Sequence, residues 1–126
     1  MYRIYDKKSE RWRSNVVMCD DGMLGVIQKT LFGNYKILPI FDKEPYIIQY
    51  CTDIVDMDGQ LIYEGDILKS EDGEKQGRVS YHTPYGCFVI FDFDTDTYYY
   101  LNEYVGKTAK VVGNVIDGEV NVSKDN

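Results

Sequence analysis

Apolar and polar positions alternate along this chain in short runs, and Gly, Pro, Asn or Asp break the runs at short intervals. Period-two patterning punctuated by turn residues predicts short antiparallel strands joined by hairpins. The first pair is residues 2–5 and 11–14, joined across Asp6-Lys7-Lys8-Ser9-Glu10, with Tyr5 and Trp12 available to meet across the strands. Residues 16–19 run into Asp20-Asp21-Gly22, residues 23–31 return, and Phe32-Gly33-Asn34-Tyr35 turns the chain into a strand at 36–41. Four Asp-Gly pairs, Asp21-Gly22, Asp58-Gly59, Asp72-Gly73 and Asp117-Gly118, supply the positive φ angles that two-residue hairpin turns require, which argues for an antiparallel meander.

Residues 45–55 carry both periods. Ile47, Ile48, Cys51, Ile54 and Val55 fall at helical spacing, and Glu44-Pro45 offers a helix start with Pro at its first position. Against this, Tyr46-Ile47-Ile48-Gln49-Tyr50 is rich in the β-branched and aromatic residues that favour strands. The pattern is read as a strand through Cys51 with a helical turn after it. Further strands are predicted at 60–63, 66–69, 78–81, 87–93, 98–101, 110–116 and 119–122, with a frayed tail at 123–126. The five runs from Asp66 to Ile116 predict a small SH3-like β-barrel within residues 60–126. The hairpins of residues 1–59 then form a second β unit packed on it, in a mainly β fold with little helix.

Composition agrees with a folded domain and narrows its setting. The 126 residues are 44% apolar and 14% aromatic, with 12 Tyr, enough for a packed core in a chain of one-domain length. The net charge of −7 divides unevenly: residues 1–50 carry 8 Lys/Arg and 6 Asp/Glu, a net of +2, and residues 51–126 carry 6 and 15, a net of −9. The acidic half disfavours phosphate-backbone binding, which depends on Lys and Arg. Cys19, Cys51 and Cys87 are odd in number and widely spaced, as expected of reduced thiols. The start Met1-Tyr2-Arg3-Ile4-Tyr5-Asp6-Lys7-Lys8 lacks a signal-peptide apolar core, and no apolar run reaches the roughly 20 residues of a spanning helix. A soluble, cytoplasmic protein is expected.

Candidate chemistry is sparse. Asp92, Asp94, Asp96 and Glu103 match positions 1, 3, 5 and 12 of a calcium-binding EF-hand loop, but Thr97 stands where that loop needs Gly and the flanks are β-patterned. A polar hairpin tip, with Asp92 on the solvent face of its strand, is the better reading. His82 and Cys87 could form a nucleophilic pair, yet nothing marks an oxyanion site or a third member. One His and three scattered Cys make a poor zinc set. Neither catalytic residues, nor a metal site, nor a cofactor is assigned. Tyr98, Tyr99, Tyr100 and Tyr104 are the binding candidates: an aromatic cluster of this kind is a stacking platform, an interface, or half-buried barrel packing. The aspartates around it place a protein interface above nucleic acid.

One segment carries a family resemblance. Tyr46-Ile47-Ile48-Gln49-Tyr50, then Asp56-Met57-Asp58-Gly59-Gln60-Leu61-Ile62-Tyr63-Glu64-Gly65-Asp66-Ile67-Leu68, resembles the signature of the YopX-like proteins encoded by phages and prophages of bacteria. Arg3-Ile4-Tyr5-Asp6 and Val111-Val112-Gly113-Asn114-Val115 are similar to that family's opening and close. The chain departs from the pattern at Cys51-Thr52-Asp53-Ile54, where one residue is inserted before Gly59. The resemblance implies a mainly β fold, a phage or prophage origin and a bacterial host, and brings no catalytic residues. Within the motif, Gly65 permits a bend, Asp66 can satisfy turn N–H groups, and Ile62 and Ile67 anchor either side. Ile62, Tyr63, Glu64, Gly65, Asp66, Ile67, Gly113 and Asn114 are therefore read as structural.

The expected function is binding without catalysis, to a protein partner or to further copies of the chain. The alternative is a nucleic-acid accessory role through Arg3, Lys7, Lys8, Arg11 and Arg13 on the first hairpin.

Overall fold

Alternation of apolar and polar positions translates into strands along most of the chain. In the computed structural model, which describes residues 1–116, twelve strands form three antiparallel sheets, and one short α-helix is present among the described residues. The strand expected at 119–122, the Asp117-Gly118 turn and the tail at 123–126 lie outside the described residues. Two compact units are distinguished, Met1–Gln49 and Tyr50–Asn126.

In the first unit, β1 (Tyr2–Asp6) pairs with β2 (Arg11–Trp12). Tyr5 lies opposite Trp12, and their rings meet edge-on with centroids 5.2 Å apart. A meander follows: β3 (Val16–Met18), β4 (Leu24–Lys29) and β5 (Tyr35–Ile40), with β4 in the middle. Ile4, Val16 and Leu24 form the buried core, packed by Tyr2, Met18, Val26, Ile40, Tyr46 and Ile48. Each such aliphatic side chain contributes roughly 1.5–3 kcal/mol by leaving water.

The chain passes into the second unit within β6 (Tyr46–Val55), which neighbours β1 and pairs with β7 (Leu61–Tyr63). The helical turn expected after Cys51 is not formed; the strand continues. Asp53 takes a left-handed backbone with φ 62°, and the register slips between Cys51↔Tyr63 and Val55↔Leu61. This β-bulge changes which face successive residues present, and that is the source of the mixed spacing in the sequence.

The five expected runs are β8 (Asp66–Ser70), β9 (Gln76–His82), β10 (Cys87–Asp92), β11 (Thr97–Tyr100) and β12 (Ala109–Asn114). They make one sheet in the order β11-β10-β9-β8-β12. The expected barrel is not closed, because β11 and β12 are the two edges and do not pair. Between them the chain forms α1 (Glu103–Lys107), which the strand pattern did not predict. Asn102 caps it, its side-chain oxygen accepting the Val105 N–H at 2.9 Å. Val105 packs on the core of Ile62, Leu68, Val79, Leu101 and Ala109, so a helix covers the side of the core that a β11–β12 ladder would have sealed.

The turns also differ from expectation in detail. Gly22, Gly59 and Gly73 have φ of 82°, 81° and 77°, but the Asp before each is not left-handed. At Cys19, whose N–H donates to the Met23 carbonyl while its own carbonyl accepts from Gly22, the result is a three-residue loop closed by a left-handed Gly. The turn is one residue longer than the two-residue type.

Gly106 allows α1 to approach the β6–β7 ladder. A Cβ there would stand 2.6 Å from the Val55 carbonyl oxygen and 2.6 Å from Ile54 Cγ2. Gly106→Ala is expected to lose roughly 1–2 kcal/mol net in urea unfolding, because overpacking outweighs Ala's better helix propensity. An unchanged or higher midpoint would show that the helix does not need this approach.

Candidate functional site

The family segment is built as a brace. Ile62 and Ile67 are buried, and between them Gly65 takes φ 88°. The Gly65 N–H donates to the Val79 carbonyl at 2.7 Å, and its carbonyl accepts the Val115 N–H at 2.8 Å. The Glu64 N–H donates to the Tyr50 carbonyl at 2.8 Å. Buried Asp66 accepts the Tyr63 N–H on Oδ2 at 2.8 Å and the Asn114 amide on Oδ1 at 2.9 Å. Asn114 sits opposite Asp66 and Gly113 opposite Ile67 in the β8–β12 ladder, so the two distant parts of the motif meet. Asp66 is engaged on both oxygens, which leaves it poorly suited to work with Glu64 as an acid–base pair.

Asp56 repeats the device at the preceding turn. Its Oδ1 accepts the Asp58 and Gln60 N–H groups at 2.9 Å each, and its Oδ2 accepts Val111 N–H on β12 at 3.0 Å. Burial raises its pKa, but the hydrogen bonds from Val111, Gln60 and Asp58, with the charge of Lys110, outweigh it and hold the carboxyl below its ordinary value of 3.8. Asp6 is similar: burial raises it, and hydrogen bonds from Ser9, Lys8 and Arg13 bring it below the ordinary value. Asp72 is lowered by hydrogen bonds from the Ser70 hydroxyl and the Glu74 N–H.

Asp92 is buried, contrary to its expected place on the solvent face. Its Oδ1 accepts the Asp94 N–H at 2.9 Å and the Thr95 N–H at 3.4 Å, so it anchors the β10–β11 turn. Glu103 lies in the first turn of α1. Among the described residues no three His, Cys, Asp or Glu side chains gather as a metal cage.

The tyrosines divide. The register sets Tyr98 opposite Phe91 and Tyr99 opposite Ile90, which puts neighbouring tyrosines on opposite faces of the sheet. Tyr99 lines a cavity of about 160 Å³ with Leu68, Lys69, Lys75, Ile90 and Val105. On the other face Tyr98 joins a run of rings: Tyr85 stacks on His82 at 4.7 Å, His82 meets Tyr98 at 5.4 Å, Tyr98 meets Phe91 at 5.1 Å, and Phe91 meets Phe93 at 6.3 Å. The Arg78 guanidinium lies 5.7 Å from the Phe91 ring centre. Tyr85 and Tyr98 are 72% and 53% exposed and stand over half-buried His82, Phe91 and Phe93, so the two tyrosines are the open part of the row. Tyr100 and Tyr104 are also exposed but belong to none of these ring contacts. Cys87 faces His82 across the β9–β10 ladder, yet no hydrogen bond joins their side chains, and His82 Nδ1 has no hydrogen-bond partner. Tyr85 belongs to the aromatic cluster already visible in the sequence and reaches His82 through the turn between β9 and β10, whereas His82, Phe91 and Arg78 meet Tyr98 only through the β9–β10–β11 register.

In the first unit the cationic hairpin is partly spoken for. Arg3 donates to Gln49 Oε1 at 3.2 and 3.0 Å and lies 4.2 Å over the Trp12 ring. Arg13 pairs with Asp6 at 2.9 Å. Lys7, Lys8 and Arg11 are exposed. A larger feature was not anticipated: Leu31, Phe32, Tyr35, Ile37, Leu38 and Phe41, all on the β4–β5 hairpin or just past it, are exposed. Its one signal in sequence is Leu31-Phe32, an apolar pair at a turn tip.

The sequence matches the family described as YopX protein over residues 1–118. Two solved structures share the fold. Protein EF1440 from Enterococcus faecalis has a TM-score of 0.62 and 22% identity over 94% of each chain. Protein yopX from Bacillus subtilis has a TM-score of 0.54 and 18% identity over 91% of each. Comparison with curated proteins finds no match. No helix of the described residues is long and apolar enough to cross a membrane, and the three cysteines are unpaired.

The lowered carboxyls of Asp6, Asp56 and Asp72 carry a pH dependence of known sign. Below the ordinary carboxylate range the unfolded chain binds protons that the folded chain resists, so the stability present above about pH 4 is lost as pH falls through the folded values. Thermal unfolding midpoints should hold from pH 7 to about 5 and drop below about 4. Asp56→Asn should flatten that acid limb; an unchanged limb would remove Asp56 as a contributor.

Proposed function

The chain belongs to the YopX family, and on that premise we propose that it is a prophage-encoded cytoplasmic protein that acts by binding another protein and performs no chemistry of its own. The observation that carries this reading is the open row of rings on the β9–β10–β11 face. Exposed Tyr side chains beside an Arg are the residue types that dominate binding energy at interfaces, and rings locked by mutual contact lose little entropy on binding. Exposed Asp94 and Asp96 at the adjoining turn favour a partner that offers cationic and apolar side chains together. The five-stranded sheet, with its last strand beside its first, is read as an opened SH3-like barrel, an architecture that hosts many binding roles. The bacterial sources of the two similar structures support a bacterial host.

Exposed Lys7, Lys8 and Arg11 favour the second reading, nucleic-acid binding through the β1–β2 hairpin. It is the weaker one, since Arg3 and Arg13 are engaged within the chain and the net charge is −7.

Immobilised chain and a Tyr85→Ser/Tyr98→Ser variant should be compared as baits in a bacterial lysate. Truncating two hot-spot rings is expected to weaken capture of a specific protein at least tenfold, while unfolding stability moves by about 0.5 kcal/mol or less. Equal capture by both baits would overturn the reading. Salt-dependent binding of single- or double-stranded DNA that is lost in a Lys7→Ser/Lys8→Ser/Arg11→Ser variant would replace it with the second.

A further inference from the structure

Strand β5 is the edge of its three-stranded sheet, and the hydrogen bonds show which of its backbone groups face outward. The Ile27 N–H donates to the Asn15 carbonyl, on the β3 side of β4, at 2.7 Å. Ile27 therefore turns its backbone away from β5, and Ile37, paired with it, turns its own backbone away from β4. By the same alternation Tyr35, Ile37 and Pro39 present carbonyls to the open edge, and Tyr35 and Ile37 present N–H groups. Pro39 has no N–H to offer. Natural edges are guarded by charges, Pro or bulges; this edge has Lys36 and Pro39 alone, and it is flanked by exposed Leu31, Phe32, Tyr35, Ile37, Leu38 and Phe41.

We propose that β5 pairs antiparallel with β5 of a second copy about a two-fold axis at Ile37. In that register each Ile37 exchanges both main-chain hydrogen bonds with Ile37 of the other copy. Each Tyr35 N–H meets the carbonyl of the opposite Pro39, so the missing Pro donor falls at the end of the ladder. Lys36 comes opposite Leu38, where its aliphatic stem covers apolar surface. Shifting the axis to Lys36 would set the two Lys36 side chains directly against each other, a like-charge pair that destabilises a ladder.

Two further observations favour a second copy as the occupant. The six apolar side chains are exposed by 41% to 94%, enough to supply much of the about 800 Å² that each partner buries in a standard interface. Residues 1–50 carry a net +2 against −9 for the rest, so this is the half through which two acidic chains meet with least repulsion. The β5 edge belongs to the first unit and the aromatic face to the second, and the proposal stands or falls independently of the function proposed above.

Light scattering after gel filtration of the full chain at tens of micromolar should give the mass of a dimer. Ile37→Pro removes an outward N–H without touching a β4–β5 bond, and Pro is tolerated on edge strands in that orientation. It should keep the circular dichroism of the parent and shift the chain to monomer at the same concentration. Ile37→Cys, oxidised beside the parent with its three native thiols, should give a disulfide-linked dimer that the parent does not, because the two-fold brings the paired positions within bridging reach. A monomeric parent, a folded Ile37→Pro variant that still dimerises as the parent does, or a Leu38→Cys variant that crosslinks where Ile37→Cys does not would each overturn the proposal.

Discussion

A buried carboxylate must be met by donors, and this fold uses that constraint to hold its turns. Asp6, Asp56, Asp66 and Asp92 are all buried, and each accepts from backbone N–H groups at an adjacent turn. Leaving such a group unmet costs roughly 1–3 kcal/mol or more, so the turn and the carboxylate enforce each other. Two of the four also reach β12: Asp56 through the Val111 N–H and Asp66 through the Asn114 amide. The last described strand is thereby fixed to two turns more than forty residues earlier in the chain, beyond what its ladder with β8 supplies.

This use of aspartate alters what the charge balance means. The net of −9 over residues 51–126 treats every carboxylate as part of a solvated field, yet Asp56, Asp66 and Asp92 are inside and face backbone donors. These carboxylates are answered locally by backbone N–H groups, so they count toward the net charge without being contact groups for a cationic partner. The same reassignment gives the EF-hand-like spacing a structural role. Asp92 turns inward to close a hairpin, so the spacing of Asp92, Asp94 and Asp96 does not correspond to three oxygens converging on one point.

What could be read from residue order alone followed the range of the interaction concerned. Strand positions depend on period-two alternation and on Gly-marked turns, both local, and nearly every strand lies within a residue or two of its expected place. The β6 bulge was obscured because a two-residue slip in register mimics helical spacing at Cys51, Ile54 and Val55. Helix α1 spans only Glu103–Lys107, too short for periodicity to mark, although Asn102 carried the capping signal. The row of rings was the least accessible: Tyr98 was visible, but its contacts with His82 and Phe91 arise from registers between three strands. The exposed β5 strand escaped notice because an apolar run is read as core unless its neighbours are known.

The residues on which the resemblance to the family was read are for the same reason a poor guide to what this chain binds. Ile62 and Ile67 are buried, Gly65 is bound on both its N–H and its carbonyl, and Asp66 is tied to Asn114. Substitution at any of them would act first on folding, through a cavity, a strained backbone or an unmet donor. Tyr85 and Tyr98 on one unit, and Ile37 and Phe41 on the other, by contrast have side chains open to solvent. Nothing in the brace constrains those positions. Two chains can therefore share this fold at 22% or 18% identity while presenting different surfaces, and the fold likeness alone assigns no common partner.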